Sequence, residues 1–114
     1  MNSSASVRHA GDVAIIDVSG RISLNDGLGA MRTAIREAIN AGDKKILLNL
    51  AEVSYIDSAG LGEMASAYIT VTNMGGKMKL LHTRERVNTM LQVTKLYTLL
   101  VAYADEKVAL ASFV

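Results

Sequence analysis

The chain has 114 residues, with 12 Lys and Arg against 11 Asp and Glu, and half of its residues are apolar. It contains no Cys, Pro or Trp, which excludes a disulfide framework, a thiolate nucleophile and a cysteine metal site. A formal charge of +1 lacks the basic surplus that phosphate neutralisation requires, so direct nucleic-acid binding is not expected.

This length suits one domain spanning residues 1–114, burying roughly two-thirds of the surface of its unfolded chain. Met1 to Ser6 lacks the basic and long apolar regions of a secretory signal. The longest apolar runs, such as Leu99 to Ala104, fall far short of the roughly 20 residues that span a bilayer. A cytoplasmic protein without membrane contact is expected.

From Ser6 to Ser19 the pattern predicts two short antiparallel strands joined at Gly11-Asp12, the second closed by Gly20. Leu28, Met31, Ile35 and Ile39 then recur at helical spacing, with Asn25 or Asp26 as cap and Gly42 as stop. Ile46, Leu47, Leu48 and Leu50 read as a strand covered on both faces. Asp57-Ser58 opens a second helix, whose buried stripe is predicted as Leu61, Met64, Ala65, Tyr68 and Val71, and Gly75-Gly76 ends it. A strand at Lys77 to Leu81, a helix at Arg84 to Gln92, a strand near Leu100 to Tyr103 and a helix from Asp105 to Ser112 complete the chain. Strands alternating with helices after a hairpin imply an α/β sandwich: a mixed, mostly parallel sheet of four to five strands with about four helices.

In such sheets ligands and partners meet the loops at the carboxyl ends of strands. That directs attention to the segment Ser54, Tyr55, Ile56, Asp57, Ser58, Ala59, Gly60, Leu61 and Gly62, which follows the apolar strand and opens a helix. Each glycine costs a helix about 0.5–1 kcal/mol relative to Ala. Two readings stand at this point. Asp57 or Ser58 is an N-cap and the glycines permit close packing on the sheet, or Ser58 is presented for another protein to modify. The free N–H groups and positive dipole end of a helix N-terminus favour a phosphate there.

The six residues Asp57 to Gly62 resemble the D-S-[SAT]-G-L-G motif of bacterial anti-sigma factor antagonists, the single-domain STAS proteins. Gly20-Arg21-Ile22 is similar to that family's G-x-[LI] after the second strand, and Asn73 to Gly76 to its loop after the second helix. Val87, Leu91, Thr94 and Leu96 resemble its V-x-x-x-L-x-x-T-G-L. The resemblance implies a STAS-like sandwich and a switch rather than an enzyme, with no cofactor. It implies that Ser58 is phosphorylated by a partner that is both anti-sigma factor and serine kinase. The unmodified form would bind that partner and free a sigma factor, and a serine phosphatase would reset the switch. Asp57, Ser58, Ala59, Gly60, Leu61 and Gly62 would form the partner-binding surface with Arg21 and Ser23, on a monomer or weak dimer. Ser23 stands where the family often has Asp, and Lys95 where it has Gly. If Lys95 keeps a left-handed backbone, it costs on the order of 1 kcal/mol against Gly.

Other readings fare worse. An esterase-like serine would want Gly at position 56, where Ile56 stands, and a His base, for which only His9 and His82 exist. The same two histidines are too few for a metal site and are read as partly buried structural residues. Gly75-Gly76-Lys77 lacks the flanking residues of a phosphate loop. The six methionines read mainly as core filler, and Arg84 and Arg86 as a solvated helix start that could join a partner surface. A non-switching STAS scaffold, in a lipid-transport or stress-signalling complex, is the alternative within the same fold.

Overall fold

The residues flanking Gly11-Asp12 form the expected hairpin, β1 (Ser4–Ala10) running antiparallel to β2 (Val13–Ile22). The computed structural model describes residues 3–24 and 28–114, so Asn25 and Asp26, the expected caps, lie outside the described residues. The chain continues through α1 (Leu28–Asn40), β3 (Lys45–Ile56), α2 (Ser58–Asn73), β4 (Lys77–Leu81) and α3 (Glu85–Thr94). A 3₁₀ turn (Leu96–Thr98), β5 (Ala102–Tyr103) and α4 (Glu106–Ala111) follow.

The strands lie in chain order, β1-β2-β3-β4-β5, and every pair after the hairpin is parallel. Successive right-handed crossovers that step in one direction put their helices on one face. Ile16, Leu48 and Leu80 accordingly pack with Met31 and Ile35 of α1, Met64 and Val71 of α2, and Val87 and Leu91 of α3. The opposite face is covered by α4 and the chain end: Ala109 and Phe113 pack on Val13, Ile15, Leu47 and Leu81. This is the expected sandwich.

Cover on both faces explains why Val13 to Ile16 are all buried rather than alternating in exposure. Gly20 does not close β2, which runs on to Ile22. Its φ of 92° lies beside register shifts in the pairing with β3, where a residue without a side chain lets the strand bulge and continue. The third strand likewise extends six residues beyond Leu50, to Ile56. Its inward residues change spacing from Ile46, Leu48 and Leu50 to Val53 and Ile56, a pattern that strict alternation does not anticipate.

Other boundaries shift for local reasons. On α2, Ala67 and Gly60 take the buried positions, while Ala65 and Tyr68 are half-buried at the edge of the stripe. Helix α3 begins at Glu85 with Arg84 as its cap residue, and β5 is two residues long, pairing with β4 at Ala102 with Leu80 and Tyr103 with Leu81. Lys95 does adopt the left-handed conformation, with φ 62° and ψ 17°. His9 is exposed, not partly buried, with Nε2 3.0 Å from Asp43 Oδ2; His82 is half-buried. Met31, Met64 and Met78 fill the core as expected, but Met74 is exposed.

Candidate functional site

Where β3 stops at Ile56, the backbone of Asp57 stays extended and turns the chain into α2. Its N–H donates to the Ile22 carbonyl (3.3 Å), so the ends of β2 and β3 are joined at the loop. The Asp57 carboxylate then has two duties. Oδ1 accepts from the Gly60 N–H (2.9 Å), capping α2, and Oδ2 accepts from the Leu24 N–H (3.2 Å), holding the chain that leaves β2. The Gly60 N–H, followed by that of Leu24, holds the carboxyl below its usual range against partial desolvation. Of the two possible caps, the structure selects Asp57.

That assignment leaves Ser58 with no structural duty. It is the first residue of α2, exposed, and its hydroxyl has no hydrogen-bond partner among the described residues. The glycines beside it have different reasons to be glycine. A Cβ on Gly60 would run into the Ile22 carbonyl oxygen and lie 2.8 Å from Ile56 Cγ1. A Cβ on Gly62 would meet nothing within 4 Å. Gly60 is therefore bare for packing, whereas Gly62 is exposed and leaves open space one turn from Ser58.

The remaining residues of the expected surface divide by depth. Ser58 and Gly62 are exposed, and Asp57, Ala59 and Arg21 are half-buried. Gly60, Leu61 and Ser23 are buried. Leu61 is part of the core under α2, and Ser23 is 5% exposed.

Two residues outside the expected surface join this end of the molecule. Arg21 and Tyr55 are register partners on β2 and β3, and the Arg21 guanidinium lies over the Tyr55 ring, 4.2 Å from its centroid. Arg86, from the first turn of α3, lies over the same ring at 4.4 Å. Its Nε donates to the Ile56 carbonyl (3.3 Å), the last carbonyl of β3. Arg86 is thus tethered across the strand end rather than simply solvated. The sequence signal for Tyr55 was its place just before the loop; Arg86 was read with Arg84 as a helix start that could join a partner surface, with nothing local to place it at this strand end.

Among the described residues no group of three or more His, Asp or Glu side chains could hold a metal ion. An open depression of about 620 Å³ lies near the ends of β4 and β5, lined in part by His82, Arg84, Asn88 and Tyr103. No residue from Asp57 to Gly62 lines it. No helix among the described residues is long and apolar enough to cross a membrane.

A mixed sheet in chain order, three helices on one face, and an Asp-capped helix presenting a serine after the central strand define a STAS domain. Residues 4–109 match the STAS domain family, and the chain belongs to it. It is 32% identical over 85 residues to the TM1081 homologue of Thermotoga neapolitana, a candidate anti-sigma factor antagonist, with 75% of each chain covered. It is 27% identical over 111 residues to the anti-sigma F factor antagonist of Paenibacillus polymyxa, covering 96% of this chain and 94% of the relative. Among solved structures, the anti-sigma factor antagonist SpoIIAA matches in its unphosphorylated form with a TM-score of 0.72 at 19% identity, covering 96% of both chains. SpoIIAA from Bacillus in its phosphorylated form matches at 0.73 and 20% identity, covering 96% of this chain and 98% of that one.

Proposed function

We propose that this STAS domain is an anti-sigma factor antagonist that works as a phosphorylation-controlled binding switch, with Ser58 as the acceptor. The observation that carries the reading is the division of labour at the loop. Asp57 makes the capping and tethering bonds, so the exposed Ser58 hydroxyl is left unengaged where a partner can reach it. In this reading the unmodified protein binds an anti-sigma factor that is also a serine kinase, and releases a sigma factor. Phosphorylation ends the binding, and a serine phosphatase restores it. The chain does no catalysis of its own and acts in the cytoplasm, residues 1–114 serving as one unit.

The physical change is large for a chain of formal charge +1, since a phosphate brings about −1.5 to −2 charges and three strong acceptors. Placed on an exposed side chain, it alters the surface without asking the core to move. The two forms of SpoIIAA match this fold equally well, which supports a switch of surface rather than of architecture.

The test uses the histidine-kinase-like ATPase encoded nearest this chain in its genome. Incubation with that ATPase and ATP, followed by peptide mass spectrometry, is expected to place one phosphate on Ser58 and none on a Ser58→Ala variant. Ser58→Asp is expected to keep the wild-type melting temperature and lose at least tenfold in affinity for the same ATPase. Absence of transfer, together with equal binding by wild type and Ser58→Asp, sinks the switch and leaves a non-switching scaffold.

A further inference from the structure

We propose that Arg86, held against Tyr55 beside Arg21, is a docking point for a carboxylate of the partner protein, so that the partner face of this chain is cationic at its rim. The inference rests on the reading that the partner covers the loop carrying Ser58. It adds which chemistry the partner must present next to that loop.

Three observations carry it. First, Arg86 is pre-organised: Nε is used on the Ile56 carbonyl at 3.3 Å, and the guanidinium plane is supported by the Tyr55 ring at 4.4 Å. That leaves the edge formed by its two terminal amino groups, the edge that receives a carboxylate through two parallel bonds. Arg86 is exposed and makes no ion pair among the described residues. Second, Ile56 is two residues before Ser58, so the tether places the guanidinium at the strand end from which the acceptor loop springs. Third, further cations stand near Arg86 among the described residues. Arg21 lies over the same ring and Arg84 opens the same helix as Arg86, while the loop's own carboxylate, Asp57, is turned inward onto the Gly60 and Leu24 N–H groups. Glu85, next to Arg86 in α3, is the acidic neighbour in sequence.

Arg and Tyr with their side chains fixed before association are the residue types that dominate protein interfaces, because little side-chain freedom remains to be lost. A nucleic acid is a poor occupant for a chain of net charge +1. A small anion is also poorly served, since neither Tyr55 nor Arg86 lines the open depression near the ends of β4 and β5. A carboxylate presented by a protein surface fits the flat, exposed edge.

The experiment titrates the purified ATPase encoded nearest this chain with wild type, Arg86→Glu, Arg86→Gln and Arg86→Lys, at low and high salt, and follows Ser58 labelling in parallel. Arg86→Glu is expected to weaken binding at least tenfold and Arg86→Gln about fivefold. Arg86→Lys should recover only part of the loss, because an ammonium cannot make the two-bond contact. The wild-type advantage should shrink at high salt, and labelling should show a raised KM with kcat unchanged. Reversing one Asp or Glu of the ATPase to Lys should restore binding to Arg86→Glu. The proposal is overturned if folded Arg86→Glu binds within twofold of wild type. It is also overturned if only the Ser58-phosphorylated form responds, which would make Arg86 a contact for that phosphate. Should Arg86→Glu fail to fold, Arg86→Gln gives the same reading. If wild type is neither bound nor labelled, the switch reading itself fails; if wild type is both and the Arg86 variants match it, only this inference fails.

Discussion

At Gly60 the Ile22 carbonyl occupies the space a Cβ would need, and both groups belong to backbone that is fixed by the Asp57 bonds. Gly60→Ala is therefore expected to destabilise the protein by about 1–3 kcal/mol, the range for overpacking a close contact. Gly62, two residues on, faces open space within the same helix. Gly62→Ala should stabilise it by about 0.5–1 kcal/mol, because Ala loses less backbone entropy on entering a helix. Urea unfolding of the two variants checks both signs at once; equal effects would mean that the loop relaxes around either side chain. If Gly62→Ala is more stable yet binds the kinase partner less well, the glycine is retained for clearance beside Ser58. From the sequence the two glycines looked alike, since each was simply a costly residue in a first helical turn. What separates them is the end of β2 at Ile22, which lies 38 positions from Gly60 and 40 from Gly62 and leaves no local trace. Asp57 as a cap was legible because capping is a bond within one turn.

Helix α3 ends on the strained residue that departs from the family pattern. Lys95 holds φ 62° so that its N–H can reach the Gln92 carbonyl (3.1 Å) and the chain can enter the 3₁₀ turn. A side chain in that conformation costs about 1 kcal/mol, which glycine avoids at some loss through a more flexible unfolded state. Lys95→Gly is expected to raise stability by roughly 0.5–1 kcal/mol without changing the helix content, read by denaturation and circular dichroism. No gain, or a loss, would show that the Lys95 side chain contributes something the backbone does not reveal. The three long helices were legible because Met31 and Ile35, Leu61 and Met64, and Val87 and Leu91 repeat at the spacing of one buried stripe. The strand expected near Leu100 to Tyr103 is present as the two-residue β5, whereas the 3₁₀ turn is too short to carry any period. The long ends of β2 and β3 were missed because bulges break the alternation that marks a strand, and those ends are what bring Arg21, Tyr55 and Asp57 to the site.

The two faces of the sheet are closed by different means, and this divides the molecule's response to acid. The helix-covered face is held mainly by apolar packing, from Ile16 and Leu48 to Met64 and Val87, with the Arg32–Glu63 ion pair (2.8 Å) joining α1 to α2. On the other face α4 is short, and its apolar contacts are supplemented by an ionic clasp. Arg8 of β1 pairs with Asp17 of β2 (2.7 Å) and with Glu106 of α4 (2.8 Å), and Asn49 of β3 donates to Asp17 (2.7 Å). Lys79 adds bonds to the Ser112 carbonyl and hydroxyl beyond the helix. Burial pushes the Asp17 carboxyl up, but the hydrogen bonds from Arg8 and Asn49 outweigh it and the net shift is downward. The Glu106 carboxyl is lowered mainly by its bond to Arg8. A carboxyl with a lowered folded-state pKa lends stability that is fully present above the ordinary carboxylate value of about 4. That stability is lost as pH falls through the lowered value. These pairs are partly solvent-exposed, so the clasp is worth on the order of 1 kcal/mol in all. Arg8→Met removes the cation and keeps much of the stem, so it should lower stability by that amount at pH 7 and by little at pH 2. The loss should appear first as easier proteolytic cleavage around α4, with the β2–β3 core still protected. Urea unfolding of wild type and Arg8→Met from pH 7 to pH 2 makes the comparison. Parallel pH profiles would mean that α4 is held by Ala109 and Phe113 and that the charges are incidental. Converging profiles would show that the face covered by α4 is one that acid can loosen through the Arg8 clasp.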